Sequence, residues 1–93
     1  MIIVNQDKDE IINFDNTLNI CILYDEGEKY PWEIFAGMKA PDDNYRTLGY
    51  YKTEERAKEV LQEIIETCQR CNEVSFAGGY GYVQNEVYEM PEE

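Results

Sequence analysis

Histidine is absent from this chain, and basic residues are scarce. Eight lysines and arginines stand against twenty acidic residues, which gives a formal charge of -12 over 93 residues. Without histidine, the chain lacks the side chain that most often acts as an acid or base near neutral pH and most often binds a metal. The charge imbalance repels nucleic acid and anionic membranes, and it attracts basic surfaces. Direct binding to nucleic acid, a metal site and histidine-dependent catalysis are therefore disfavoured.

Long apolar runs are also missing, since none approaches the ~20 residues that a membrane-spanning helix needs. The first residues carry neither the basic start nor the cleavage site of a secretory signal. Three cysteines are an odd number, which fits a reducing compartment better than a disulfide framework. These absences predict a soluble cytoplasmic protein. A chain of 93 residues is too short for two hydrophobic cores, so we expect a single domain.

The clearest regular element begins after Thr53, which can cap a helix that opens with two glutamates. Apolar residues then recur three and four positions apart, at Ala57, Val60, Leu61, Ile64, Ile65 and Cys68. This spacing is typical of one amphipathic helix. It predicts a helix over about residues 54–70, with Leu61 and Ile64 at the centre of its buried stripe.

The rest of the chain predicts short strands rich in β-branched and aromatic residues. They cover residues 2–4, 10–14, 18–24, 32–38 and 47–51, and a last stretch that includes Val83, Val87 and Tyr88. Short turns between them favour an antiparallel meander of about five to six strands, with the helix packed on one face. The predicted fold is a single α+β domain over residues 1–93, with an acidic end, residues 91–93, that frays.

A single helix covers only one face of such a sheet. The chain has eight tyrosines, three phenylalanines and Trp32, and some of these must lie on the uncovered face or near the glycine-rich loop at residues 78–82. An exposed aromatic face usually marks an interface, and a second copy of the chain is the simplest partner. We therefore expect a homo-oligomer. The alternative is scattered surface tyrosines that contact no partner.

Three segments of the chain carry a resemblance to other proteins: residues 48–64 (LGYYKTEERAKEVLQEI), residues 1–8 and residues 88–91. Together they resemble small accessory proteins encoded by phages, prophages and mobile elements of Gram-positive bacteria. Residues 24–46 and the glycine-rich loop at residues 78–82 lie outside the resemblance. The resemblance implies no catalytic residue. It implies a setting in which small proteins often bind and block components of host defence.

The candidate docking site is a row of carboxylates on the predicted helix, formed by Glu55, Glu59, Glu63 and Glu66. At about 100° per residue they fall within a narrow arc opposite the apolar stripe, over ~16 Å of helix. Like charges four residues apart mildly disfavour the helix. The hypothesis is an acidic ridge that docks on a basic, nucleic-acid-binding surface of a host protein. The alternative is a solvated face that keeps the protein soluble.

A second hypothesis rests on the few basic residues. Arg46, Lys52 and Arg56 surround the last strand before the helix, while Tyr80 and Tyr82 belong to a glycine-rich loop. Cationic groups bind phosphates and tyrosines stack on flat rings, so these residues favour an oligomer that sequesters a small nucleotide. Pairing of the basic residues with nearby acids is the simpler explanation. A dimerisation module without a ligand is a third hypothesis.

The remaining motifs do not favour catalysis. Cys68 and Cys71 form a C-x-x-C at the end of the predicted helix, whereas in redox proteins this motif opens a helix, where the dipole lowers the thiol pKa. The glycine-rich loop lacks the lysine and the strand–loop–helix context of a phosphate-binding loop. We therefore predict a non-catalytic protein with no cofactor and no metal.

Overall fold

Six strands and one long helix follow one another along the described chain. The computed structural model describes residues 1–40, 44–78 and 87–93, and over residues 70–78 only the backbone. The elements are β1 (Ile2–Val4), β2 (Ile11–Asn13), β3 (Thr17–Tyr24), β4 (Trp32–Met38), β5 (Tyr45–Tyr51), α1 (Glu54–Gly78) and β6 (Val87–Glu89). The predicted α+β class is confirmed. Val83, which the sequence placed in the final strand, lies outside the described residues.

The strands form two sheets of three rather than one continuous meander. One sheet has the order β3-β4-β5 and is antiparallel throughout. The other has the order β2-β1-β6, where β1 pairs antiparallel with β2 and parallel with β6. A parallel neighbour requires a long connection, which the chain from β2 through α1 supplies. Turn residues indicate only how consecutive strands are joined, so they did not predict the parallel pair of β1 and β6.

A single core joins the two sheets and the helix. The buried apolar residues lie in β4, β5 and α1, and in or next to the strands of the β2-β1-β6 sheet. They are Met1, Ile3, Ile12, Ile34, Ala36, Leu48, Tyr51, Ala57, Val60, Ile64 and Met90. The predicted stripe on α1 is confirmed at Ala57, Val60 and Ile64, which are 0 to 2% exposed. It is narrower than expected, because Leu61 is only half-buried and Ile65 is 42% exposed. Both lie on the side of α1 that faces β3, where an apolar groove remains open.

The helix continues to Gly78 instead of ending near residue 70. Neither proline nor glycine occurs between residues 54 and 77, so Gly78 is the first residue with a strong tendency to end the helix. Cys68 and Cys71 therefore lie inside the helix rather than at its end. Cys68 is a half-buried free thiol.

The acidic end, which we expected to fray, is hydrogen-bonded to the rest of the chain. Its anchor is Met90, which is 1% exposed and donates its main-chain N–H to the Val4 carbonyl at 3.0 Å. The Tyr51 hydroxyl donates to the Pro91 carbonyl at 2.8 Å. Arg56 Nε donates to the main-chain oxygen of Glu93, also at 2.8 Å. These donors are distant in sequence, so composition alone did not indicate the hydrogen bonds of residues 91–93.

The side chain of Gln6 joins the two sheets at the outer edge of β5. Its Oε1 accepts the Tyr50 main-chain N–H at 2.8 Å, and its Nε2 donates to the Tyr50 carbonyl at 2.9 Å. Nε2 also donates to the Glu92 carbonyl at 2.9 Å. Gly49 makes room for this contact, since a Cβ there would lie 3.1 Å from the Gln6 Cβ. The Gln6 main-chain N–H adds a bond to the Leu48 carbonyl at 2.7 Å.

Two neighbouring isoleucines on α1 test where the core lies. Ile64→Ala removes a side chain that is 2% exposed, and we expect it to lower the free energy of unfolding by about 2–5 kcal/mol. Ile65→Ala removes the same atoms from a residue that is 42% exposed, and its effect should be well under half as large. Urea denaturation of both variants measures the difference. Equal losses would contradict the assignment of the core to the Ala57–Val60–Ile64 side of the helix.

Candidate binding surfaces

The first candidate surface is the acidic face of α1. Glu55, Glu59 and Glu66 are all exposed, and they fall within a narrow arc of the helix opposite the buried Val60 and Ile64. The buried side of α1 packs on β4 and β5, so the helix holds these three carboxylates at fixed spacing. We call Glu55, Glu59 and Glu66 the acidic face. They are three of the four residues that the sequence predicted for docking.

The fourth, Glu63, is half-buried and bonds to other side chains of the protein. Its carboxylate accepts a hydrogen bond from the Tyr88 hydroxyl at 2.7 Å and lies 3.8 Å from Arg56 Nη1. Tyr88 belongs to β6, a strand more than twenty residues away along the chain, so the helical pattern alone did not predict this contact. Arg56 also lies 3.9 Å from Glu59, whose side chain nevertheless stays 65% exposed. Glu63 keeps its place in the predicted row, with a side chain that is 45% exposed, but its bond to β6 sets it apart from the other three carboxylates.

Two tyrosines hold the groups around Glu63 in place. Burial raises the pKa of the Tyr88 phenol well above its ordinary value, and its hydrogen bond to Glu63 raises it further. Burial likewise raises the pKa of the Tyr51 phenol, while the nearby Arg56 lowers it in part. Both phenols therefore remain protonated at neutral pH. They act as hydrogen-bond donors, Tyr88 to Glu63 and Tyr51 to the Pro91 carbonyl.

The second candidate surface is a cleft that contains two of the five residues predicted for ligand binding. Lys52 and Arg56 line it together with Tyr30 and Tyr50. Arg46 is not part of it, because this residue lies towards the other end of β5 and forms an ion pair with Glu10 at 3.2 Å. Tyr80 and Tyr82 lie outside the described residues.

The cleft extends beyond what the sequence indicated. Two cavities of about 410 and 650 Å³ share Tyr30 and Tyr50, and the larger one adds Lys8 and Lys29. Lys29 Nζ lies 5.5 Å from the centre of the Tyr30 ring. Among the described residues, Lys8, Lys29 and Lys52 form no ion pair within 4.0 Å, whereas Arg56 does. We call these two cavities the lysine–tyrosine cleft.

Carboxylates balance the positive charge of this cleft. Four of them line it: Asp7, Glu28, Glu92 and Glu93. The last two belong to the chain segment that Gln6, Tyr51 and Arg56 hold by its main-chain oxygens. Lys8 and Lys29 come from turns far from Lys52 in sequence, and no spacing pattern links such residues. The sequence therefore revealed half of the cleft's basic residues, those next to the start of α1.

Neither a metal site nor a membrane-spanning helix is seen among the residues that the structure describes. In the described parts of the chain, no group of three or more cysteine, aspartate or glutamate side chains is placed to hold a metal ion. The helix that the structure describes is not apolar enough to cross a membrane. Comparison with protein-family models, curated proteins and solved structures finds no match to this chain.

Proposed function

We propose that this protein is a non-catalytic binding protein whose acidic face docks on a basic surface of another protein. The observation that carries the proposal is the presentation of Glu55, Glu59 and Glu66, exposed and in one arc, on a helix whose other side is fixed in the core. The formal charge of -12 supports it, because such a charge attracts lysine- and arginine-rich surfaces and repels nucleic acid. The proposed partner is a cytoplasmic host protein with a nucleic-acid-binding surface. The resemblance to phage accessory proteins adds a defence component as the proposed target.

The strength of such docking follows from the geometry. The acidic face extends over ~16 Å, which lets it meet several cations of one partner at once. An exposed ion pair contributes only about 0–1 kcal/mol, so the three carboxylates must act together. Complementary charge mainly raises the association rate and is screened by salt. Binding should therefore weaken steeply as the ionic strength rises through the physiological range.

Charge-neutral replacement of the acidic face tests the proposal. The probe is a synthetic helical peptide with lysines along one side, and its affinity is measured by fluorescence anisotropy at low and physiological salt. Glu55→Gln/Glu59→Gln/Glu66→Gln should weaken binding about tenfold, the equivalent of three exposed pairs at about 0.5 kcal/mol each. Glutamine keeps the helix propensity, so the fold should be unaffected.

A matched variant separates the acidic face from the net charge. Asp15→Asn/Asp25→Asn/Glu26→Gln removes the same three charges from exposed positions away from α1. It should weaken binding much less than the helix variant at physiological salt, where distant charges are screened. If the two variants weaken binding equally, the overall charge attracts the peptide and the acidic face is only a solvated surface.

The lysine–tyrosine cleft favours a second candidate function, capture of a small anionic ligand that carries a flat ring. The specific observation is that three lysines, which form no ion pair with any residue that the structure describes, lie beside two half-exposed tyrosines in one cleft of an otherwise acidic protein. Lysines bind a phosphate as point charges, and the Tyr30 and Tyr50 rings offer faces for stacking. Here the net charge opposes binding, so affinity must come from local contacts.

Calorimetric titration with adenosine monophosphate tests this second function. We expect heat of binding for the wild type, and loss of at least tenfold in affinity for Lys52→Ala, since a charge-assisted bond contributes about 1.5–3 kcal/mol. Lys39→Ala is the matched control, because Lys39 is exposed and lies outside the cleft. Absence of binding by the wild type, or equal losses in the two variants, would contradict the proposal.

A further inference from the structure

Strand β3 is an uncharged edge in a highly charged protein. It is the longest of the described strands, and its eight residues (TLNICILY) include no acidic or basic side chain. It is an outer strand of its sheet and pairs with β4 alone. Proteins usually protect such edges with charges, prolines or very short strands. β3 has none of the three. Its register against β4 shifts between Thr17 and Asn19, but residues 19–24 pair regularly, and this part of the edge is suited to pairing with another strand.

The hydrogen-bond pattern identifies the groups on β3 that remain open. The main-chain N–H and C=O groups of successive residues point to opposite sides of a strand. On β4, the Met38 N–H points to the β5 side, where it donates to the Asn44 carbonyl, so the main-chain groups of Phe35 point towards β3. Its partner Cys21 therefore bonds to β4, and the main-chain groups of Ile20 and Ile22 point the other way, along with those of Tyr24. No described residue covers this edge.

The opposite edge of the same sheet is already occupied. On β5, the side chain of Gln6 bonds both main-chain groups of Tyr50, and the Gln6 N–H bonds the Leu48 carbonyl. Main-chain groups that are already bonded within the chain cannot pair with an added strand, so β5 is not available for pairing where Gln6 covers it. Only the β3 side of this sheet offers a row of main-chain donors and acceptors among the described residues.

An apolar groove runs beside the β3 edge. It lies between β3 and α1, has a volume of about 460 Å³, and is lined by the apolar side chains Phe14, Leu18, Ile20, Leu61, Ile65 and Cys68. Leu18 is 72% exposed and Ile65 is 42% exposed, so these two side chains leave much apolar surface in water. A strand added at the edge would bring apolar side chains over the groove and remove this surface from water.

We propose that β3 pairs antiparallel with β3 of a second copy of this chain, which joins two three-stranded sheets into one of six strands. A two-fold axis across the edge makes the strand its own complement and brings the two grooves together. Self-complementarity identifies the occupant as a second copy, because each copy offers the same eight uncharged residues and the same open main-chain groups. Two chains of formal charge -12 repel, and along β3 they can meet without setting one acidic side chain of the strand against another. The inference is independent of the proposed function.

The open face of the sheet, where the sequence predicted self-association, is less suited to it. Glu33 lies on that face, only 7% exposed, and accepts a hydrogen bond from the Thr47 hydroxyl at 2.6 Å. A face-to-face dimer would bring two such carboxylates, already buried in each copy, towards one another with no cation between them, and like charges repel strongly where water is excluded. Edge pairing leaves Glu33 as it is. The geometry thus favours the edge over the face.

Mass and amide exchange together test the proposal. Light scattering of the wild type at tens of micromolar should give twice the chain mass of 10.9 kDa. Hydrogen exchange followed by NMR should show protected amides at Ile20 and Ile22, in addition to Cys21, which β4 protects in any case. The mass of one chain would overturn the proposal, whether or not these amides are protected. A dimer whose Ile20 and Ile22 amides exchange freely would overturn it too, because another surface would then form the interface.

A pair of lysine substitutions locates the interface. Leu18→Lys places a charge beside the β3 edge of each copy. This variant should be a monomer where the wild type is a dimer, and its Ile20 and Ile22 amide hydrogens should exchange faster. Ile11→Lys is the control, since Ile11 is 69% exposed on β2 and carries the same change in charge. Both variants lower the net negative charge and so weaken general repulsion. Persistence of the dimer in Leu18→Lys, or its loss in Ile11→Lys alone, would contradict edge pairing through β3.

Discussion

The side-chain amide of Gln6 takes the place of a strand at the edge of β5, and much of the structure depends on this contact. One planar group satisfies both main-chain groups of Tyr50 and reaches the Glu92 carbonyl. It thereby connects the two sheets and the chain segment after β6. The same contact explains Gly49, whose missing Cβ lets Gln6 approach the backbone. It also forms one wall of the lysine–tyrosine cleft, so a change at Gln6 should affect the fold and the cleft together.

Charge is distributed unevenly over this fold, and the distribution separates three surfaces. The helix presents the acidic face to solvent. The turns that contain Lys8 and Lys29 place these lysines beside Tyr30 and Tyr50. Strand β3 carries no charged side chain. A charged partner protein, a small anion and a second copy are therefore suited to different parts of the molecule. The acidic face and the cleft adjoin at Arg56, which lines the cleft and lies 3.9 Å from Glu59. The three proposals can still fail independently, because their tests use different residues and different probes.

The sequence predicted elements better than it predicted contacts. The spacing of apolar residues identified α1, and the alternation of residues 32–38 identified β4. Both patterns are local, because the buried face of one element repeats at a regular interval along the chain. The sequence did not predict the parallel β1–β6 pair, the bond from Tyr88 to Glu63 and the anchoring of residues 91–93, since each joins residues far apart in sequence. The same limit explains the candidate sites. Lys52 and Arg56 lie close in sequence and were found together, whereas Lys8, Lys29 and Tyr30 were not predicted.

Replacement of Gln6 by glutamate tests the dependence on this amide most directly. Gln6→Glu keeps the shape but exchanges the donating Nε2 for an oxygen that faces the Tyr50 and Glu92 carbonyls. We expect the free energy of unfolding in urea to fall by about 1–3 kcal/mol, which corresponds to the loss of two hydrogen bonds at about 0.5–1.5 kcal/mol each. Gln69→Glu, the same change at an exposed position on α1, should alter it by less than about 0.5 kcal/mol. Equal stability of the two variants would contradict the claim that Gln6 joins the sheets.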